Sequence, residues 1–461
     1  MSSAPFTGFE VIGNATVIAW DDDVPVIATD PWLGGDAYFG SWVLSHAIPE
    51  VQQAAIRAAN YIWFSHGHPD HLNPGSMEAL HGRKVLLPDH VGGRIKRDLD
   101  AAGFETHVLT DRKWYPLSER VSVMSLADYN QDAVLLLNVN GRLVVNLNDS
   151  GAIGHVLFLK RIIRQFDLSV LTQLSGYGDA DMINFFEETG ERIPPPASRK
   201  DPVGAVIARR AEAFGVSYFI PSSSMHRYQR EDSAWANEYT THLSDYEIGF
   251  ASKTARLLPA FVRFDCRTDT CTPLNPPENP STLISPKEFG DDWTALLNTE
   301  DIASAEHYFR RVAHLGEQMD FVTLRVGGKD HPISLRKRGF EKGITFEVPA
   351  GSLRTALQYE IFDDLLIGNF MKTTLHGKWP PTKLYPDFTP YVAKYSDNGL
   401  ARTKDELQQY FSIYRRRAPL DFLIDRMEQH SKNIIRGCFH EQSTVFNYLK
   451  KTYWRVRAAV G

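Results

Sequence analysis

Cysteine is scarce in this sequence. Three residues, Cys266, Cys271 and Cys438, in a chain of 461 are too few for a disulfide scaffold, so a reducing cytoplasm is the expected compartment. No stretch approaches the roughly 18 consecutive apolar residues that a bilayer requires, which argues against a membrane span. Basic residues are not in excess: 50 Lys and Arg stand against 56 Asp and Glu, a net charge of −6. That balance disfavours nucleic acid and anionic membrane surfaces as partners. The first ten residues carry neither a basic segment nor an apolar run, so they do not read as a signal peptide. Internal repeats and low-complexity tracts are also lacking. What remains is ordinary for a globular chain with a core: 43% apolar and 23% charged.

Strand and helix patterns alternate from residue 8 to about 265. Short Val-, Ile- and Ala-rich runs at 9–12, 15–20 and 25–29 read as strands, with Asp21-Asp22-Asp23 as a turn. Residues 61–65 form a buried strand, and 84–87, 121–126, 133–138, 142–146, 168–174 and 217–221 follow as strands. Asn140-Gly141 is the strongest hairpin signal. Helices are expected at 49–60, 73–80, 91–102, 157–166 and 202–214. Many meander-like strands with few helices between them suit an α/β sandwich of mixed sheets flanked by helices. Residues 187–201, with Ile193-Pro194-Pro195-Pro196, read as a long loop, either a lid or a surface insertion. Thr272 to Pro286 carries five prolines and almost no periodicity, and divides the chain best. The expected organisation is a catalytic domain over 1–271, a linker over 272–286 and a C-terminal α+β accessory domain over 287–461.

The informative feature is Ser65-His66-Gly67-His68-Pro69-Asp70-His71. Four good metal ligands fall within six residues, directly after a hydrophobic strand. His66 and His68, two apart in an extended segment, can point the same way. Asp70 and His71 follow at a turn and can face a second ion beside the first. Imidazole and carboxylate suit Zn, Fe and Mn, and Pro69 stiffens the loop.

This motif resembles the metallo-β-lactamase superfamily, whose fold is an αββα sandwich. The resemblance implies two divalent metal ions. His66 and His68 would hold the first, and Asp70 and His71 the second. Asp149, which ends a strand, would bridge the two, and His226 would complete the second. The remaining position falls near Asp128, where the family usually has His. Asp128 either binds as a carboxylate or leaves a position open. Asp30-Pro31-Trp32-Leu33, Ala37-Tyr38-Phe39-Gly40-Ser41-Trp42, Tyr61-Ile62-Trp63-Phe64-Ser65-His66 and Phe362-Asp363-Asp364-Leu365-Leu366-Ile367-Gly368-Asn369 together resemble the cytidine-monophosphate N-acetylneuraminate hydroxylase family. That family also carries a Rieske centre, which needs paired Cys and His motifs. Cys438-Phe439-His440 matches one half, and no C-x-x-H follows it. The resemblance is therefore to the catalytic scaffold, and the substrate does not carry over.

Two chemistries stay open. The first is O2-dependent oxidation or hydroxylation of a small polar substrate, with Fe favoured over Zn or Mn and either an external reductant or the substrate itself as electron donor. The second is hydrolysis of a phosphoester, lactone or amide, with Asp149 holding the bridge and Asp70 orienting the nucleophile. Oxidation ranks first on the carboxylate-rich ligand set, and the order reverses if Asp128 is not a ligand. For substrate contacts the candidates are Trp32 and Tyr38, which can wall a pocket or sit in the core. Tyr177 and Asp179 lie in a polar loop, and Arg227 sits beside His226, where it can bind an anion.

Overall fold

The computed structural model describes residues 4–427 apart from 129, 178–181, 337–340, 381–382, 385–387, 390, 393–400, 402, 421–422 and 424–426. Cys438, His440 and Asp179 lie outside the described residues.

Two large sheets face each other. The first runs Thr270–Pro273, Val262–Asp265, Gly8–Ile12, Thr16–Asp21, Val24–Thr29, Tyr61–Trp63, Lys84–Pro88, Glu105–Leu109. The second runs Arg256–Leu257, Tyr218–Ser222, Ser169–Leu174, Arg142–Asn148, Ala133–Val139, Val121–Ala127, Tyr115–Pro116. Side-chain alternation explains why they stack. Leu135 and Leu137 join Phe9, Val17 and Val144 in a buried cluster that contains no helix residue. The intervening Leu136 joins Ile18, Val145 and the helix residues Ile56, Leu159 and Ile207 in another. One face of each sheet thus meets the other sheet, and the opposite face takes the helices Glu50–Ala58, Val156–Ile163 and Val203–Phe214.

The Asn140-Gly141 hairpin forms as expected, with φ of 49° and 78°, the pair of positive values that a two-residue turn of this hand requires. Residues 73–80 form two short 3₁₀ turns, Pro74–Ser76 and Glu78–Leu80, instead of one helix. The sequence pattern missed Glu105–Leu109, Trp42–Leu44 and His226–Tyr228, strands too short or too mixed to show a period.

Each sheet has a parallel half. Val24–Thr29, Tyr61–Trp63 and Lys84–Pro88 are parallel in the first. Arg142–Asn148, Ser169–Leu174 and Tyr218–Ser222 are parallel in the second. The carboxyl ends of parallel strands are where α/β sheets place ligands. The loops leaving those ends carry Asp30, His66 to His71 and Asp149.

A five-stranded sheet, with strand order Phe185–Phe186, Lys372–His376, Gly343–Glu347, Phe321–Val326, Lys329–Ser334, has its own buried cluster around Phe309, Phe346 and Phe362. Its edge strand comes from far upstream: Phe185 pairs with Thr373. Residues 362–369 dock onto the sandwich. Ser41 Oγ donates to the Gly368 carbonyl at 2.5 Å, Trp235 Nε1 to the Asn369 carbonyl at 3.0 Å, and Asn369 Nδ2 to the Tyr228 hydroxyl at 2.8 Å. Arg230 is wholly buried at the same boundary. It pairs with Asp232 and Asp291 and lies 3.9 Å from the centre of the Phe370 ring.

Candidate metal centre

The strand Tyr61–Trp63 leads through Phe64 and Ser65 into the ligand loop. Ser65 N donates to Asp30 Oδ1 at 2.7 Å, which anchors the loop where the strand ends. The His71 and Leu72 amides return to the His68 carbonyl at 3.0 and 2.8 Å, so the chain turns sharply after Pro69. His66, Asp70 and His71 end up buried and His68 part-exposed.

Each ring is oriented by its neighbours. His66 Nδ1 shares a hydrogen bond with Ser65 Oγ at 2.8 Å, which leaves Nε2 facing inward, 2.9 Å from His68 Nδ1. His68 Nε2 lies 3.1 Å from Asp363 Oδ2. His71 Nδ1 faces Asp30 Oδ2 at 3.4 Å, and its Nε2 faces Asp70 Oδ2 at 3.2 Å and Asp149 Oδ1 at 3.4 Å. Asp70 accepts hydrogen bonds from Asn14 Nδ2 at 2.9 Å and from the Tyr38 hydroxyl at 2.5 Å. Asn14 Oδ1 in turn accepts from the Met225 amide, beside His226.

Asp149 follows Arg142–Asn148, whose pairing with Ser169–Leu174 shifts register between Asn146 and Asn148. Asn148 has φ 58°, which Asn tolerates better than most residues. The irregularity re-aims the next side chain, a common use of a bulge at a site.

The electrostatics follow the packing. Burial, with His71 and His68 alongside, holds the His66 imidazole well below its ordinary value. Burial also opposes charge on His68, but the hydrogen bond and charge of Asp363, with the charge of Asp364, outweigh it and raise the ring to about 10. Burial works against His71 likewise, and Asp70 and Asp149 overcome it and push that ring well up. For Asp70, burial favours the neutral acid, but His71 and the Tyr38 hydrogen bond prevail and hold the carboxyl low. Asp132 goes the other way: burial, then the nearby Asp128 and Asp149, push it well above the usual carboxylate range.

Among the described residues, two sets of three ligand atoms lie within 4.8 Å of one another: His66, His71 and Asp149, and His68, Asp363 and Asp364. The fit to cations has a further mark. Both His71 nitrogens and Asp149 Oδ1 are buried yet lack a partner in hydrogen-bond geometry. Buried polar atoms are nearly always satisfied, and atoms left over at one point indicate an absent ion or water. The donor set of imidazoles and carboxylates suits Fe, Mn or Zn.

The other expected residues fall as follows. Asp70 touches His71 and so borders the first set. Asp128 is buried, and its carboxylate ties two loops together: Oδ1 accepts from the Asn130 and Asp132 amides of its own loop, and Oδ2 from Ser150 Oγ, next to Asp149, at 2.6 Å. The carboxylate that the same loop offers to the centre is Asp132, with Oδ1 4.0 Å from His66 Nε2. His226 is in neither set. It stacks flat on Trp42, ring centres 3.4 Å apart, and Trp42 meets Tyr38 edge-on. Tyr38 is at the centre through Asp70, whereas Trp32 is in the sandwich core. The Tyr177 backbone bonds to Thr241 Oγ1, and its ring packs against the core. Arg227 is committed to Glu278 and the Asn279 carbonyl.

Sequence reasoning missed Asp132, Asp363, Asp364 and Asp30. Asp30 is the carboxylate behind His71, at 3.4 Å from Nδ1, an arrangement that fixes ring orientation and tautomer where a histidine binds metal. Asp30→Asn is expected to weaken metal binding about 10–100-fold. Competition against a chelator measures this, and unchanged affinity would remove the role.

No family model matches the chain. It is 29% identical over 133 residues to cytidine monophosphate-N-acetylneuraminic acid hydroxylase of Asterias rubens, covering 27% of this chain and 20% of that protein. It is 27% identical over 129 residues to the inactive hydroxylase of Homo sapiens, covering 26% of each. The matches thus span about a fifth to a quarter of the curated relatives' length. Among solved structures, the isothiocyanate hydrolase from Delia radicum gut bacteria aligns over 55% of this chain and 97% of its own, at 11% identity and TM-score 0.35. The diiron β-hydroxylase CmlA from Streptomyces venezuelae aligns over 56% and 54%, at 13% identity and TM-score 0.33.

Proposed function

From a chain with the metallo-β-lactamase fold and a sequence similar to the cytidine monophosphate-N-acetylneuraminic acid hydroxylases, we propose a dinuclear-metal oxidoreductase. It uses O2 to oxidise or hydroxylate a small polar substrate, with iron the favoured metal and an external electron donor. The observation that carries this reading is the make-up of the two ligand sets: three imidazoles with three carboxylates, and Asp132 and Asp70 beside them. Hard, oxygen-rich sets of this kind suit iron and manganese. The carboxylate of Asp128 is taken up by the Asn130 and Asp132 amides and by Ser150, and Asp132 lies nearer the histidines, with Oδ1 4.0 Å from His66 Nε2.

A pair of irons supplies redox chemistry with O2, and the protein's own residues prepare the site for it. Asp70 is held in one orientation by Asn14 and Tyr38. The Tyr38 hydroxyl is pushed well above its ordinary value by burial and by Asp70, so it stays protonated and remains a donor. Asp30 and Ser65 fix the rings of His71 and His66. Burial of His66, Asp70 and His71 keeps bulk water from the inner side of the centre.

The second reading is hydrolysis, which the engagement of the Asp128 carboxylate by the Asn130 and Asp132 amides and by Ser150 favours. Metal analysis after expression with iron and zinc both available separates the two. About two irons per chain with oxygen uptake on reduction supports the oxygenase. About two zincs without uptake supports the hydrolase, and neither metal overturns both.

A further inference from the structure

The helix Lys404–Arg417 bridges the two halves of the molecule. Leu407 belongs to the buried cluster of the five-stranded sheet. Tyr410 and Tyr414 instead form a small cluster with Ala127, the residue before Asp128, and Val91 packs against it. Ala418, just past the helix, is buried close to Gly154, in the loop that follows Asp149. The helix thus runs across the ends of three strands, Lys84–Pro88, Val121–Ala127 and Arg142–Asn148.

Its last residue turns inward. Arg415 and Arg416 are exposed, whereas the Arg417 side chain is only 17% exposed. Its Nη1 donates to the Asp89 carbonyl at 2.7 Å and its Nη2 to Asp89 Oδ2 at 2.9 Å. Two donors on one rigid plane fix orientation as well as charge. Asp89 is the middle of a three-residue turn, closed by the His90 amide on the Pro88 carbonyl at 2.9 Å. The turn brings the His90 ring onto the motif loop, where Nε2 donates to the Ser65 carbonyl at 2.8 Å. A carbonyl only accepts, so Nε2 carries the hydrogen. Ser65 Oγ shares its hydrogen bond with His66 Nδ1 at 2.8 Å. Asp89 and His90 are half-buried, so packing constrains them less than it does His66 and His71, and the grip on the turn matters more.

Resting on the dinuclear reading, we infer that Arg417 is a positioning residue of the metal centre: through Asp89, His90 and Ser65, the helix Lys404–Arg417 sets the orientation of His66. Ion pairs this near the surface contribute little to global stability. The arginine acts on where the turn points, and the order of the centre depends on a helix more than 300 residues further along the chain.

The test uses the full chain, stripped of metal and titrated with cobalt(II) against a competing chelator. The visible bands of bound cobalt follow ligand geometry and give a second readout. Arg417→Ala should bind cobalt about tenfold more weakly than wild type, the low end for loss of an outer partner, and shift the bands. His90→Leu should lose at least as much, and His90→Gln, whose amide can donate to the Ser65 carbonyl, should recover most of it. Because Arg417 acts through His90, the combined variant Arg417→Ala/His90→Leu should bind no more weakly than His90→Leu alone. Lys404→Ala breaks the pairing with Glu317 at the other end of the helix and should leave affinity and bands unchanged. If Arg417→Ala does not fold, Arg417→Gln takes its place with the same expectations. Wild-type affinity in the Arg417 variant, losses that multiply in the combined variant, or an equal loss in Lys404→Ala would each overturn the assignment and leave the dinuclear reading standing. Wild type that binds no cobalt would overturn both.

Discussion

Asp149→Ala is expected to strip most of the metal from the protein and to lower kcat/KM by about two orders of magnitude or more. Losing an outer partner of a ligand already costs about 10–100-fold, and Asp149 contacts the centre directly. Its Oδ1 faces His71 Nε2 at 3.4 Å and belongs to the same set of ligand atoms as His66. On truncation His71 Nε2 still faces Asp70 Oδ2 at 3.2 Å, so the ring keeps a carboxylate partner. The variant should therefore fold, with wild-type circular dichroism, and fail only in metal content and activity. Plasma mass spectrometry on the purified variant decides the matter: full occupancy would remove Asp149 from the centre.

Arg230→Met is expected to cost about 3–5 kcal/mol of stability, the range for breaking a buried ion pair from one side. The side chain is wholly buried. Nη1 donates to Asp291 Oδ2 at 2.8 Å and to the Phe39 carbonyl at 2.9 Å, and Nε and Nη2 form a fork onto Asp232, each at 2.9 Å. Its plane also faces Phe370. Methionine keeps much of the volume and none of the charge, so Asp291, itself buried, stays behind with the Ser352 amide and hydroxyl as the donors to its side chain among the described residues. Urea denaturation followed by tryptophan fluorescence measures the change. A loss under about 1 kcal/mol would mean that Ser352 satisfies Asp291 unaided, and that the arginine adds little net to the boundary.

Much of the fold was legible because its signals are local. Val144, Leu135 and their neighbours alternate with a strand's period, and Asn140-Gly141 announces its own turn. The heart of the candidate site was legible for the same reason: His66 to His71 lie on one loop after one strand. What the sequence hid is tertiary. Asp128 and Asp132 are four residues apart in one loop, and no pattern says which carboxylate the turn will consume. The turn takes Asp128, through the Asn130 and Asp132 amides, and releases Asp132 toward His66. Asp363 and Asp364 begin a short helix whose sequence says nothing of a histidine near residue 68. Only the docking of Gly368 and Asn369 onto Ser41, Trp235 and Tyr228 brings them there. Arg227 was hidden by alternation, since a strand that turns His226 onto Trp42 sends its neighbour the other way, to Glu278.

The pairing of Phe185 with Thr373 also bears on how the chain comes off the ribosome. Synthesis runs at about 5–20 residues per second, so the two phenylalanines wait on the order of ten seconds or more for the strand they will join. Through that interval their apolar surface and open backbone groups are available to any nascent neighbour, at an edge of the kind that templates aggregation. Slower elongation across residues 190–370 prolongs the exposure, and a chaperone that shields this stretch shortens it in effect.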